Sequence, residues 1–291
     1  MRLRRHAALL LAAAIAGLPF ASASWARTPA AEDLNPEAAS GVQKRELVRA
    51  PHFMMVSANP LASRAGEAML RRGGSVVDAA IATQLVLNLV EPQSSGIGGG
   101  AFMVVYSAAD GQIRTYDSRE TAPAAAQPQR FLDADGKPVP FARAVNSGLA
   151  VGVPGLLRGL ELAHKEQGAL PWADLFQPAI RLAEQGFAVS PRLHKLLAGN
   201  KELRTQAAAA AYFYAPDGAP WPVGHVLKNP EFARTLRAVA EQGADAFYQG
   251  DIARDIVAAV RGHAVPGDLT LADLAGYRAK TRDPVCGAYR G

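Results

Sequence analysis

The chain has 291 residues, 49% hydrophobic and 20% charged, which excludes a disordered polypeptide and leaves room for one large domain or two small ones. Its formal net charge of +5 includes Arg2, Arg4 and Arg5 at the extreme N-terminus; without them about +2 remains, and no basic run follows, so no nucleic-acid partner is expected. A single cysteine, Cys286, excludes an internal disulfide, and no Cys/His cluster has zinc-ligand spacing.

Residues 1–26 read as a signal peptide. Arg2, Arg4 and Arg5 form a positive end, Ala7 to Leu18 is apolar, and Ala21-Ser-Ala23 and Ser24-Trp-Ala26 offer small-residue cleavage sites. The apolar run is too short for a stop-transfer helix, so no membrane span is expected after its removal, and the destination is the periplasm or outside. Residues 27–50 lack periodicity and read as a mobile lead-in. The remaining 51–291 are treated as one domain.

Phe53 to Ser57 reads as a short strand. Asn59 can cap a helix with Pro60 in its first turn, and Gly73-Gly74 stop it. Ser75-Val-Val-Asp78 fits a capping-box variant opening a helix to Val90. That helix is apolar nearly all round and therefore belongs inside a core. A glycine cluster follows (Gly96, Gly98, Gly99, Gly100), then strands at Phe102–Tyr106 and Ile113–Tyr116, then the charged group Asp117-Ser-Arg119-Glu120. Ala122 to Phe141 is proline-rich and irregular. Helices are expected at 155–166, 172–185, 191–198, 230–242, 251–261 and 270–279. Phe213-Tyr214 and Val285–Tyr289 are weak strand candidates. So few strands make a small sheet for so much apolar helix surface. Either a partner segment supplies more strands, or a sheet edge is left open.

Gly96-Ile-Gly98-Gly-Gly-Ala101 formally matches a dinucleotide fingerprint. Here, however, a helix precedes and a strand follows, the reverse of what a pyrophosphate needs. The glycines are read as permitting close packing or positive φ, together with close approach to an active site. Arg119 presents a fork suited to a carboxylate, or else a surface ion pair with Asp117 or Glu120. His52, His164, His194, His225 and His263 lack partners at i+3 or i+4 and read as surface or satisfied core residues. No G-x-S-x-G elbow occurs, and the residues alone name no catalytic centre.

From about Arg49 onward the chain resembles the large-subunit portion of the γ-glutamyltransferase (γ-glutamyltranspeptidase, glutathione hydrolase) family. The resemblance rests on Ser57-Ala-Asn-Pro-Leu-Ala62, Gly73-Gly-Ser-Val-Val-Asp78, Glu91-Pro-Gln through Gly96-Ile-Gly-Gly-Gly100-Ala-Phe-Met, and Asp117-x-Arg119-Glu120-x-Ala-Pro123, in that order. It implies an α+β fold, the N-terminal-nucleophile hydrolase αββα sandwich, incomplete in this chain. It also implies a γ-glutamyl substrate such as glutathione and a small-subunit half of the same precursor as partner; the sequence itself gives no basis for a metal or organic cofactor, and none is expected. That half would bring an N-terminal threonine whose own amine is the base. Catalytic residues are then expected to be none in these 291, and Arg119 is the expected substrate-binding residue, taking the α-carboxylate. Thr28 is a poor substitute nucleophile, since it would need cleavage after Arg27. Ala101 departs from the resemblance, because the family commonly has a further glycine there. Two other readings stay open: a related amidase or acylase of the same fold, and a non-catalytic secreted ligand-binding module.

Overall fold

A computed structural model describes residues 46–290. The signal-peptide expectation over 1–26 and most of the lead-in lie outside the described residues; 46–50 are exposed and irregular. The first helix, α1, spans Pro60–Arg71. The Asn59 side chain caps it by accepting from Leu61 N, and Gly73 ends it at φ +83°. The second, α2, spans Val76–Val90 and opens on the expected capping box, with Ser75 and Asp78 bonding each other's backbone N–H.

Helix α2 is the central post of the core. Ile81, Ala82, Leu85 and Val86 are fully buried, each large side chain contributing about 1.5–3 kcal/mol of burial. Thr83 on this helix bonds within it, its Oγ1 donating to Ala79 O at 2.7 Å. Asp78 Oδ2 accepts from Ala169 N and Leu170 N at 2.9 and 3.0 Å, tying the start of α2 to a distant loop.

Strands β1 (Phe102–Ser107) and β2 (Gln112–Asp117) pair antiparallel, Phe102 opposite Asp117 and Met103 opposite Tyr116. Val105 and Tyr116 point into the core, whereas Phe102, Val104 and Tyr106 alternate outward and are each about two-thirds exposed. Next come α3 (Phe141–Val145), α4 (Leu156–Gln167), α5 (Trp172–Gln185), β3 (Phe187–Ala188), α6 (Pro191–Gly199) and α7 (Ala207–Phe213). The chain continues through β4 (Val226–Leu227), α8 (Pro230–Gln242), α9 (Asp245–Tyr248), α10 (Gly250–Arg261), α11 (Leu271–Gly276) and β5 (Lys280–Arg282). Strand β5 adds antiparallel to β2, giving the order β1-β2-β5, while β3 and β4 form a separate pair.

Three strand expectations are corrected. Phe53–Ser57 has no partner strand among the described residues; Phe53, Met54 and Val56 are exposed, and only Met55 packs against the core. Phe213 ends α7, a helix favoured by its alanine run, and Tyr214 makes only an isolated bridge to Pro220. Val285–Tyr289 is irregular, with Val285 and Tyr289 exposed. The last strand instead lies earlier, at Lys280–Arg282, because the helix expected to run to 279 stops at Gly276.

Candidate functional site

The turn after α2 and the end of β2 meet at a cleft of about 500 Å³. Ala58, Gln84 and Leu87 of α2 with its C-cap residue Glu91, the serines Ser94 and Ser95, Gly96, Gly99 and Gly100, and the pair Arg119–Glu120 line it. The sequence-predicted glycine cluster and Arg119 therefore come together, joined by backbone. Ser118 N donates to Ala101 O at 2.9 Å and Ala101 N to Ser118 O at 3.2 Å, so the β1–β2 ladder continues past the strands to the charged group.

Only part of the glycine cluster works by close approach. None of Gly96, Gly98, Gly99 and Gly100 has positive φ. Gly96 and Gly98 have open space where a Cβ would stand, whereas a Cβ at Gly100 would lie 2.5 Å from Ser118 O and 2.9 Å from Glu120 N. Gly99 O accepts from Gly155 N and Leu156 N at 2.9 and 3.0 Å, which fixes the start of α4 beside the loop. The Ala101 methyl, the departure noted in the sequence, packs against the core.

Arg119 is 70% exposed, and its Nη1 stands 3.2 Å from Glu120 Oε2. That is ion-pair distance without hydrogen-bond alignment; the Glu120 oxygen is buried and accepts no hydrogen bond from the described residues. Asp117 does not orient this guanidinium. Its Oδ1 accepts from Arg119 N at 3.0 Å and its Oδ2 accepts from Arg282 Nε and Nη2 at 2.9 and 2.8 Å. The Arg119 backbone N–H, and then the Arg282 guanidinium, hold the Asp117 carboxyl below its usual range. The Arg119 fork is thus largely exposed at the lining of the cleft, where a carboxylate could take two of its donors.

Glu91, which the sequence offers only as part of a motif, is a structural centre of the site. Its buried carboxylate accepts from Asn59 Nδ2 at 2.9 Å, Gln93 Nε2 at 2.6 Å and Arg192 Nη1 at 2.5 Å. A buried charge is tolerable when paired in this way. Gln84, Leu87 and the C-cap residue Glu91 follow one helix face at i, i+3 and i+7, a spacing that could have flagged them; Arg192, 101 residues from Glu91, carries no such signal.

No lining group forms an activated nucleophile. Ser95 Oγ donates to Asn88 Oδ1 at 2.5 Å and accepts from Gln84 Nε2 at 2.7 Å, and no histidine among the described residues lines the cleft. Among the described residues no group of three or more His, Cys, Asp or Glu side chains could hold a metal ion, and no helix is long and apolar enough to cross a membrane.

Residues 62–291 match the sequence model of the family described as Gamma-glutamyltranspeptidase. The chain is 40% identical over 238 residues to the glutathione hydrolase proenzyme of Bacillus subtilis (strain 168), covering 82% of this chain and 40% of that protein. It is 37% identical over 246 residues to the glutathione hydrolase proenzyme of Escherichia coli (strain K12), covering 84% and 42%. The chain thus spans about two-fifths of the length of these curated relatives. The crystal structure of Helicobacter pylori gamma-glutamyltranspeptidase superposes with a TM-score of 0.80 at 35% identity, covering 84% of this chain and 70% of that one. The expected α+β fold of N-terminal-nucleophile hydrolase type is borne out.

Proposed function

This chain belongs to the gamma-glutamyltranspeptidase family, and we propose that it is the large-subunit portion of an enzyme that hydrolyses glutathione-like γ-glutamyl amides or transfers the glutamyl group to an amino acid or peptide. The observation that carries this reading is the exposed Arg119 guanidinium at the mouth of the cleft, with Asp117 already engaged by Arg282. Arg119 binds the substrate's α-carboxylate by paired, charge-assisted hydrogen bonds, and Glu120 holds the fork from behind. The reacting γ-carbonyl is thereby placed a fixed distance from the carboxylate anchor.

The nucleophile comes from the small-subunit half of the precursor: an N-terminal threonine, its own amine taking the hydroxyl proton. A γ-glutamyl-enzyme forms as the amide nitrogen leaves, and water or an amino acid then takes the acyl group. Support for that partner comes from the outer face of the β1-β2-β5 sheet, where Phe102, Val104 and Tyr106 are 64–67% exposed, an apolar surface suited to further covering strands. With residues 1–26 as a signal peptide, the enzyme acts in the periplasm or outside the cell.

The test is turnover by the full-length purified protein. It should release the anilide from a γ-glutamyl anilide and glutamate from glutathione. No turnover of either, by folded and processed protein, overturns the reading.

A further inference from the structure

Arg119 is fixed through its backbone from two sides. On one side its N–H donates to Asp117 Oδ1 at 3.0 Å; on the other its carbonyl accepts from Tyr277 Oη at 2.8 Å. These bonds hold the two planar peptide units that flank the Arg119 Cα. Together they set its φ and ψ, and so the direction in which the side chain leaves the backbone.

Tyr277 is itself built in. It is 5% exposed and sits at the C-terminal end of α11, its N–H donating to Leu274 O. Its ring lies over Tyr248 at 6.1 Å, nearly parallel, and Arg158 covers the Tyr248 ring at 4.6 Å. A side chain at Gly155 would run into the Tyr277 hydroxyl and Ser118 O; the glycine there leaves room for the phenol to reach Arg119. Burial, with the charges of Asp117 and Glu120, pushes the phenol up to about 12, so at neutral pH it carries the proton it donates. The same segment grips the neighbourhood twice more, through Asp273 Oδ1, which accepts from Ala124 N at 2.8 Å, and through Arg282 on Asp117.

We propose that Tyr277 is a positioning residue for substrate binding, aiming the Arg119 guanidinium by holding its carbonyl. The proposal rests on Arg119 being the α-carboxylate anchor. Tyr277 does not touch substrate and acts through the Arg119 backbone.

The experiment is Tyr277→Phe in the full-length enzyme, which keeps the ring and its stacking and removes one neutral hydrogen bond. KM for a γ-glutamyl anilide should rise about three- to ten-fold, while kcat stays within about two-fold. In an Arg119→Ala background the same change should add nothing to KM, since two residues acting through one contact are non-additive. A purely structural tyrosine would lower the melting temperature and the active fraction, leaving KM unchanged in both backgrounds; that result overturns the proposal. If Arg119→Ala itself leaves KM unchanged, the anchor reading fails, and hydrogen exchange decides the positioning claim. Tyr277→Phe should speed exchange of the Arg119 to Thr121 amides while α4 stays protected, and unchanged exchange sinks it.

Discussion

Arg282 closes its guanidinium on Asp117, with Nε and Nη2 both reaching Oδ2 at 2.9 and 2.8 Å. The two lie 165 residues apart in the chain, brought together by the pairing of β5 with β2. The consequence falls on a third residue: with Asp117 occupied, Arg119 two positions on is left to face the cleft.

That pairing predicts an acid-sensitive contribution to stability. The Asp117 carboxyl is held low, first by the Arg119 N–H and then by Arg282. A carboxylate with a depressed folded pKa stabilises the fold above its unfolded value, about 3.9, and loses that contribution as pH falls through the folded value. Urea unfolding of wild type and Asp117→Asn should therefore show a gap in midpoint at pH 6 that narrows below about pH 4. A gap that is the same at both pH values contradicts the assignment.

Gly100 should not tolerate a methyl group. An added Cβ would lie 2.5 Å from Ser118 O and 2.8 Å from Glu120 Oε2. The first is backbone in the ladder beyond β1 and β2 and cannot swing aside. Gly100→Ala is expected to cost about 1–3 kcal/mol and to displace Glu120 from Arg119. Gly98→Ala, where the space is open, should be nearly neutral in thermal unfolding. Equal melting temperatures for the two variants would show that the loop yields.

Residues 1–291 alone should not cleave γ-glutamyl anilides. Among the cleft-lining residues the serine hydroxyls have no basic side chain to activate them: Ser95 is bonded to Gln84 and Asn88, and Ser94 accepts from Arg192. Measurable turnover by the purified chain would overturn this, and turnover that survives Ser94→Ala and Ser95→Ala would place the nucleophile elsewhere in these residues.

What could be read in the sequence was local. Asn59 before Pro60, and Ser75 with Asp78, announce helix starts because a cap needs only neighbours three residues away. The apolar run of α2 announces a buried helix, and the glycine cluster with Arg119 announces the cleft. The failures have the opposite cause. Phe53–Ser57 has strand composition, but a strand also needs a partner, and none pairs with it among the described residues. Tyr277, 158 residues from Arg119, and Arg282 join the site only through the fold. The sequence offered Asp117 and Glu120 equally as partners for Arg119, and only the register of β5 on β2 assigns Asp117 to Arg282.

The central claim is that Arg119 anchors an α-carboxylate, and steady-state kinetics of Arg119→Ala in the full-length enzyme test it most directly. The substrates should be a γ-glutamyl anilide and the matching 4-aminobutyryl anilide, which lacks the carboxylate. Loss of a charge-assisted hydrogen bond should cost about 1.5–3 kcal/mol, or about 10- to 150-fold in kcat/KM, for the first substrate. The second should be little affected. The fold should be intact, since the side chain is 70% exposed. An unchanged kcat/KM for the γ-glutamyl anilide, or an equal loss on both substrates, would contradict the account.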